Sequence, residues 1–465
     1  MPVARNSSHI PHTYPCFEYS HKMYRAVTLA LITAASALTN DKVAPVAQKP
    51  LINEACPSNS FINGECQPLP VDPSTGPIRF QANGSKTLEE SFEAAQKVEN
   101  FPWSFWPECY SNEKMTEPMC VFSDQKFADG RGIFIVTTAE KAYKILKKPA
   151  FTDPHALDRI NNHANPPFVQ VEFPGKGRGL VANKTLHRGD QIFASSALLI
   201  TNPDAYDLVD EERLKLVHRG VETLPKTSNA LFWALLDHFK GDPVDDRINT
   251  NAFEVEVNGH SMHGVLPEIA MLNHDCRPNA AYFWDEETLS HYVHATQTIY
   301  PGQEITITYI NNERSREKRM ENLKENWGFD CSCSSCSAHP VFVDESDARI
   351  EEINELSGLL DDWTPQSKAT PELAEALISL YEQERLFASL GHPYKQAAEV
   401  YSSFGDRWNA IKYASLAVEL ILLDKGFREK DLKEMREIAE EPEKSWSWNK
   451  RVGHKRFSVG CGHHH

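Results

Sequence analysis

Residues 273–279 read Asn-His-Asp-Cys-Arg-Pro-Asn, and three further cysteines follow at Cys331, Cys333 and Cys336. So tight a group of thiols is typical of a metal site, because the alternative, three buried free cysteines, is uncommon at this spacing. A structural zinc ion takes four ligands, so a fourth must come from elsewhere in the chain. Cys276, inside the quoted stretch, is the obvious supplier. The sequence therefore predicts a zinc site that joins Cys276 to the three later cysteines.

The sequence on both sides of this stretch predicts short strands separated by glycine and proline. Upstream, residues 169–173 alternate as a strand does, residues 175–182 form a glycine-rich turn that leads into a second strand, and residues 186–193 give a turn and a third strand. Apolar residues recur at helical spacing in about residues 205–240 and again after Pro340. The chain is therefore expected to have an α+β fold.

Five segments, taken in order, resemble the motifs of SET-domain protein lysine methyltransferases, in their SMYD-like branch. They are residues 177–180 (Gly-Arg-Gly-Leu), residues 249–253 (Asn-Thr-Asn-Ala-Phe), the stretch 273–279, the Pro-Gly-Gln-Glu-Ile-Thr-Ile-Thr-Tyr run that ends at Tyr309, and the Cys-x-Cys-x-x-Cys run that ends at Cys336. A lone glycine-rich turn is usually only a turn, but the ordered combination is specific. The resemblance implies a SET-domain β-clip fold of short strands, a post-SET zinc segment and a C-terminal α-helical region.

The resemblance also implies roles for individual residues. Those implied to bind S-adenosylmethionine are Lys176, Gly177, Arg178, Asn251, Asn273, His274, Tyr309 and Phe329. Asn251 would act from an adjacent strand, and Phe329 would stack on the adenine. Tyr309, Asn273 and His274 form the implied catalytic group, with the phenol of Tyr309 beside the transferred methyl. Zinc would pin the C-terminal segment against this centre through Cys276, Cys331, Cys333 and Cys336.

The implied reaction is methyl transfer to a lysine amine of a protein, either a histone or another substrate. The amine attacks only when neutral, and an apolar, aromatic-lined channel lowers the pKa of an amine by desolvation. Residues 282–284 (Tyr-Phe-Trp) either line this channel or pack in the core. The alternative function is a SET-fold binding protein, secreted or not, with weak or no turnover, which acts through its helices.

One departure from the SMYD-like pattern and one further resemblance shape the expected domains. No cysteine occurs between Ile200 and Thr250, where those proteins carry a cysteine-rich MYND finger, so a helical insert is expected at about 201–248. Residues 394–414 resemble one tetratricopeptide-type unit, which either docks on the SET core or holds a partner peptide. The expected regions are 1–45 (leader), 46–165 (cysteine-containing N-terminal region), 166–312 (SET domain), 313–340 (post-SET zinc segment) and 341–465 (helices).

The first quarter of the chain contains the features that indicate the cellular compartment of the protein. From Met23, one positive charge, a short apolar run and small residues resemble a secretory signal peptide, with a segment of a non-secreted protein as the alternative. Two close pairs, Cys56 with Cys66 and Cys109 with Cys120, fit disulfides. The expected location is the secretory pathway or extracellular space if this leader is genuine, and otherwise the nucleus or cytoplasm. No span across a membrane is expected in the mature chain.

Charge and aromatic residues give the remaining expectations. The 465-residue chain has a net charge of −17, which argues against direct nucleic-acid binding and favours a basic, lysine-containing protein partner, unless the charge serves solubility alone. Residues 101–107 (Phe-Pro-Trp-Ser-Phe-Trp-Pro) form a small local core or a ligand surface. His260 and His263 have no nearby cysteine to complete a metal site, and we expect them in a loop.

Overall fold

The computed structural model describes residues 61–62, 65–66, 80–82 and 86–452, with the backbone alone for the first two pairs. The predicted leader and Cys56, the expected partner of Cys66, lie outside the described residues. In the described part, no helix combines the length and the apolar character needed to cross a membrane.

Within the described residues, short strands form four sheets. The strands are β1 (Phe61–Ile62), β2 (Glu65–Cys66), β3 (Glu108–Tyr110), β4 (Met119–Asp124), β5 (Ile133–Thr137), β6 (Phe168–Phe173), β7 (Gly177–Ala182), β8 (Gln191–Ser196), β9 (Leu199–Thr201), β10 (Ala252–Val257), β11 (His260–Val265), β12 (Asn273–His274), β13 (Ala280–Asp285), β14 (Ser290–Ala295) and β15 (Glu304–Ile307). Their orders are β1-β2, β10-β11-β9-β5-β4-β3, β12-β15-β7-β6 and β13-β14-β8.

Helices fill the insert and the C-terminal region. They are α1 (Leu88–Gln96), α2 (Ala139–Ile145), α3 (Pro149–Thr152), α4 (Asp210–Thr223), α5 (Lys226–Trp233), α6 (Pro243–Asn251), α7 (Arg316–Trp327), α8 (Pro340–Leu360), α9 (Pro371–Gln383), α10 (Gly391–Ser403), α11 (Arg407–Asp424) and α12 (Asp431–Glu440). An irregular turn at Phe127–Gly130 precedes β5. Helix α7 begins at the N-cap Ser315 and ends at Gly328, whose φ of 71° suits the left-handed conformation of a C-cap glycine.

The four-stranded sheet positions the functional site. The two-residue strand β12 runs parallel to β15, with Asn273 paired to Thr306 and His274 to Ile307. Strand β15 also pairs with β7, which follows the turn at residues 174–176. This arrangement brings three of the sequence motifs side by side, because each motif supplies one strand of the same sheet.

The N-terminal region shares a sheet with the SET strands. Strand β5 pairs in parallel with β9, and β4 and β3 extend the sheet from there. Cys109 and Cys120 face each other across β3 and β4 and form a disulfide, as their spacing suggested. Trp103 is buried in the main core, so the local-core interpretation of residues 101–107 is the better one. The expected domain boundary near residue 166 remains a prediction. Strands from both sides of this boundary belong to the same six-stranded sheet.

The C-terminal helices have their own apolar core and also dock on the SET strands. Helix α11 lies against β13 and β14. Gly426, with φ of +83°, packs directly on the ring of Phe283, where a Cβ atom would come within 2.5 Å of that ring. Two ion pairs cross the same junction: Arg428 with Asp285 at 2.8 Å and Arg277 with Glu384 at 2.5 Å. The resemblance of residues 394–414 to a tetratricopeptide-type unit stays a prediction.

The structure confirms the α+β class, with short strands followed by a helical C-terminal region, and corrects two local assignments. His260 and His263 are in β11 rather than in a loop, because residues 260–265 pair with both β10 and β9. Asn251 ends α6 rather than lying in a strand, since the capping side chain of Asp242 starts a helix that runs through residue 251.

The junction at Glu384 yields a prediction about stability. Its side chain is 4% exposed and accepts hydrogen bonds from Arg277, Arg349 and Ser346. Glu384→Gln would leave two guanidinium groups without their anion, so we expect the free energy of unfolding to fall by about 3–5 kcal/mol. Denaturant titration measures this change. Glu443→Gln is the control: it removes an exposed ion pair with Arg407, which contributes little to stability in water, so the free energy of unfolding should change far less.

The effect of Glu384 should depend on pH in one direction. Burial acts to raise the pKa of Glu384, but hydrogen bonds from Arg277, Ser346 and Arg349 outweigh it and leave the pKa lowered. A depressed carboxyl pKa stabilises the fold above the unfolded value of about 4.3, and this contribution disappears as pH falls through the folded-state pKa. An equal loss of stability in Glu384→Gln at acidic and neutral pH would contradict the assignment.

Candidate active site and metal centre

One cavity of about 640 Å³ collects most of the predicted site residues. That volume is ordinary for a small-molecule site. Seven of the eight residues implied to bind S-adenosylmethionine line it: Lys176, Arg178, Asn251, Asn273, His274, Tyr309 and Phe329. The eighth, Gly177, lies between two of these with φ of +76°, a backbone conformation that favours glycine. The cavity therefore joins motifs that are far apart in the sequence.

A polar network at one end of the cavity orients Asn273. Its Nδ2 donates to Oε1 of Glu304 at 2.8 Å, and Nζ of Lys176 donates to Oε2 of the same carboxylate at 3.2 Å. Gly179 makes room for the network, because a Cβ atom there would lie 2.6 Å from Nδ2 of Asn273 and 2.9 Å from the Glu304 carboxylate. With its Nδ2 engaged, Asn273 presents its amide in a fixed orientation.

Glu304 is a site residue that the sequence analysis did not single out. The signal was present, since Glu304 lies inside the motif that ends at Tyr309. Its carboxylate links Lys176 of the glycine-rich turn to Asn273 of β12. Asn279 supports it from the last position of the 273–279 stretch, donating to the Glu304 carbonyl and accepting from the Thr306 N–H.

The ring of His274 is buried and joins the cavity to the cysteines. Its Nδ1 accepts a hydrogen bond from the Tyr309 N–H at 3.1 Å. An accepting Nδ1 carries no proton, so the ring proton sits on Nε2, which lies 3.4 Å from Sγ of Cys276 and donates to it. Burial lowers the pKa of His274 to about 4, which keeps the ring neutral at pH 7. Both ring nitrogens thus have partners within the protein.

Tyr309 lies in the cavity wall with its phenol held in place. Its hydroxyl donates to the Leu272 carbonyl at 2.6 Å, and its ring lies 5.6 Å from the ring of Trp327. Burial is the main cause that raises the pKa of Tyr309, and the nearby Tyr282 and Glu304 raise it further. The phenol therefore stays protonated through the physiological range, and its oxygen keeps lone pairs available to the cavity.

Two aromatic side chains outside the predicted cofactor set form part of the cavity wall. Tyr282 and Phe253 both line the cavity, with ring centroids 5.6 Å apart. Phe283 and Trp284 do not line it: Phe283 faces the C-terminal helices beside Phe427, and Trp284 donates its Nε1 hydrogen to the Glu256 carbonyl. Alternation along β13 explains only Phe283, whose side chain points to the face opposite that of Tyr282. Trp284 shares the face of Tyr282, and both contact the ring of His291, but Trp284 lies two residues further along the strand.

The insert contributes a loop that the sequence analysis missed. Leu236 and His238, between α5 and α6, line the cavity, and the ring of His238 packs on Gly328, where a Cβ atom would be 2.2 Å away. Asn251 secures this loop, since its Nδ2 donates to the Leu236 carbonyl. No local pattern marks such residues, because they reach the site only through contacts with distant segments.

The four predicted zinc ligands come together at the edge of the cavity. The Sγ atoms of Cys276, Cys331, Cys333 and Cys336 all lie within 4.8 Å of one another, and all four residues are buried. Thiolates about 2.3 Å from a tetrahedral zinc ion would be about 3.8 Å apart, so the donor set and its spacing fit structural zinc. Cys331 and Cys333 also line the cavity, which makes the cysteine cluster part of its wall.

A family model of the SET domain matches residues 177–310, a range that contains β7, β12 and β15. These residues match a SET domain and supply most of the cavity lining, which residues 175–176 and 327–333 complete. The match ends one residue after Tyr309 and excludes Cys331, Cys333, Cys336 and the C-terminal helices.

Named relatives of this SET domain are protein-lysine methyltransferases. The chain is 28% identical over 184 residues to "Histone-lysine N-methyltransferase set5" of Schizosaccharomyces pombe. The aligned segment covers 38% of this chain and 53% of that protein. It is 26% identical over 181 residues to "N-lysine methyltransferase SMYD2" of Mus musculus, covering 38% and 39%. It is 38% identical over 101 residues to "Protein-lysine N-trimethyltransferase SMYD5" of Gallus gallus, covering 21% and 23%. The similarity thus spans about half or less of each relative.

The close packing at Gly179 leads to a prediction about ligand binding. Gly179→Ala would push the side chains of Asn273 and Glu304 apart, because neither can yield without breaking their hydrogen bond. We expect calorimetric titration to show S-adenosylmethionine binding weakened by about tenfold or more, the loss of roughly one charged hydrogen bond. Gly358→Ala in α8, where a Cβ atom meets nothing within 4 Å, is the control. If Gly179→Ala binds S-adenosylmethionine as tightly as the wild type does, the network of Asn273 and Glu304 takes no part in ligand binding.

Proposed function

We propose that the chain is an S-adenosylmethionine-dependent protein-lysine N-methyltransferase with a structural zinc ion. The observation that carries the proposal is the convergence of Asn273, Tyr309 and Phe329 on one cavity whose wall includes two of the four clustered cysteines. Three segments that are separate in sequence supply these residues. The same cavity has one polar end and one aromatic wall, as a site for a charged cofactor and an alkyl amine requires.

The polar end would hold the cofactor. Lys176 offers a cation to a carboxylate, and Asn273, oriented by Glu304, offers a fixed amide. Phe329 offers a face for a purine ring, two residues before the ligand Cys331. When bound, S-adenosylmethionine supplies a methyl group on a sulfonium centre. The residues of the chain contribute position and the exclusion of water, which are the main requirements of an in-line displacement.

The aromatic wall would receive the acceptor lysine. Tyr282 and Phe253 give this part of the cavity a low polarity, which lowers the pKa of an entering amine and favours its neutral, attacking form. The Tyr309 oxygen, fixed by its bond to the Leu272 carbonyl, can orient the amine. Aromatic faces also attract the methylammonium product.

The proposed substrate is a lysine in a basic protein segment, in a histone or another protein. Glu254 and Asp237 line the cavity, and the net charge of the chain is −17. A negative field attracts a lysine-rich segment and raises its rate of encounter. We propose no direct binding of nucleic acid, because the same field repels phosphates.

The role of Tyr309 gives the main test of activity. Tyr309→Phe removes one hydroxyl and keeps the ring, so we expect kcat for methyl transfer to a lysine-containing protein to fall by about 100-fold, as when one preorganised polar group is removed from an active site. Transfer of labelled methyl groups measures kcat. Binding of S-adenosylmethionine, followed by calorimetry, should change little.

The control is Tyr292→Phe, which removes a hydroxyl from a buried tyrosine of β14 whose nearest bonded partner is Thr288. Its kcat should stay within about twofold of the wild type. Wild-type protein that binds the cofactor but transfers no methyl group would support the alternative of a SET-fold binding protein. Wild-type protein that does not bind the cofactor would overturn the enzyme proposal.

We further propose that the chain passes through the secretory pathway. The Cys109–Cys120 disulfide supports this, since disulfides form and persist mainly in oxidising compartments. Intact-mass measurement on protein from its native host should find a mass lowered by removal of the leader and by the hydrogens lost at the disulfide. Protein that retains Met23 and has all cysteines reduced would contradict the proposal.

A further inference from the structure

Arg319 is a buried cation beside the cysteine cluster. It is 1% exposed and is the largest fully buried side chain in the described part of the chain. Helix α7 carries it one turn before Leu323, which packs among the four cysteines. Residues four apart lie on one face of a helix, so Arg319 and Leu323 both face the cluster.

The hydrogen bonds of Arg319 leave its charge unbalanced. Its Nη1 donates to the Arg314 carbonyl and its Nη2 to Oγ of Ser335 at 3.1 Å, and both acceptors are neutral. Its Nε is buried and has no acceptor among the described residues. A buried guanidinium that meets only neutral acceptors is costly, so its position calls for an anion nearby.

The thiols supply that anion. The Oγ that accepts from Arg319 belongs to Ser335, the residue before Cys336, and Leu323 on the same helix face packs among the cysteines. Four thiolates around one divalent zinc ion form a net dianion.

Three other donors lie beside these cysteines. His274 brings only a neutral N–H to Cys276, and Arg277, which donates to the Cys276 carbonyl, is already paired with Glu384. Arg316 donates to the Cys336 carbonyl but is only half-buried. In the described part of the chain, Arg319 is therefore the fully buried cation beside the cluster that has no carboxylate partner.

We propose that Arg319 is the counter-cation of the zinc–thiolate centre, a positioning residue whose charge keeps the metal bound. The inference rests on the zinc ion of the proposed function and goes beyond it by assigning a role to a residue that is not a ligand. Partners outside the ligand shell tune a metal site strongly, and their loss typically weakens metal binding by about 10–100-fold.

The experiment compares three variants of the full chain. Arg319→Met keeps much of the length and removes the charge. Arg319→Lys keeps the charge and removes the planar fork. Lys318→Met, the control, removes an exposed cation from the neighbouring position of the same helix. Zinc content is measured by elemental analysis, and zinc affinity by transfer of the ion to a chromogenic chelator.

We expect zinc affinity to fall by about 10–100-fold in Arg319→Met, to recover largely in Arg319→Lys, and to be unchanged in Lys318→Met. Recovery by lysine separates the role of charge from that of packing, since a purely structural role would leave both Arg319 variants equally impaired. If Arg319→Met does not fold, Arg319→Lys alone decides: wild-type zinc affinity supports the charge role, and a loss as large as about 100-fold overturns it.

A second measurement links the metal to the cofactor wall. Phe329 lies two residues before Cys331, so a loosened zinc centre should raise KM for S-adenosylmethionine more than it lowers kcat. The two proposals fail differently. Wild-type protein without zinc would overturn the metal centre itself, whereas wild-type protein with zinc and an Arg319→Met variant of equal zinc affinity would overturn only the role of Arg319.

Discussion

One imidazole connects the two halves of the active centre. His274 accepts the backbone N–H of Tyr309 through Nδ1 and donates to Sγ of Cys276 through Nε2. The first bond fixes the start of the segment that follows β15, and the second fixes the ligand that the 273–279 stretch offers to the metal. Because each ring nitrogen has one role, the tautomer is determined, and a charged ring could not make the first bond. The depressed pKa of His274 is thus a condition of the geometry.

The rest of the fold keeps this connection rigid. From the N-terminal region, Arg131 holds Glu268 through two hydrogen bonds of 2.8 and 2.7 Å. Glu268 begins the turn that ends at Leu272, whose carbonyl receives the Tyr309 hydroxyl. From the C-terminal helices, Glu384 holds Arg277, which in turn donates to the Cys276 carbonyl. Both flanking regions, which lie outside the matched SET segment, therefore act on the backbone of the motif between residues 268 and 277.

The parts of the site that the sequence could predict are those carried by chemistry at short spacing. Cys331, Cys333 and Cys336 predicted a metal site, and the need for a fourth ligand led to Cys276. Leu236 and His238 were not predictable in this way, because they enter the cavity from the insert, and the packing of His238 on Gly328 has no counterpart in local periodicity. Asn251 shows the limit of motif matching. Its place beside the cavity followed from the motif, but the helix capped by Asp242 runs through Asn251, and the strand begins only at Ala252.

The chain combines two kinds of sulfur chemistry, and the combination constrains how it can fold. Cys109 and Cys120 are joined in the six-stranded sheet, while Sγ of Cys276 lies 3.5 Å from Sγ of Cys336 without a bond between them. In a compartment oxidising enough for the first pair, thiols this close also tend to form a disulfide, since exchange needs only an accessible thiolate. A bound metal ion would remove those thiolates from exchange. If the chain takes the proposed secretory route, the proposed zinc ion would have to reach the cluster before the thiols oxidise, which would couple metal loading to folding.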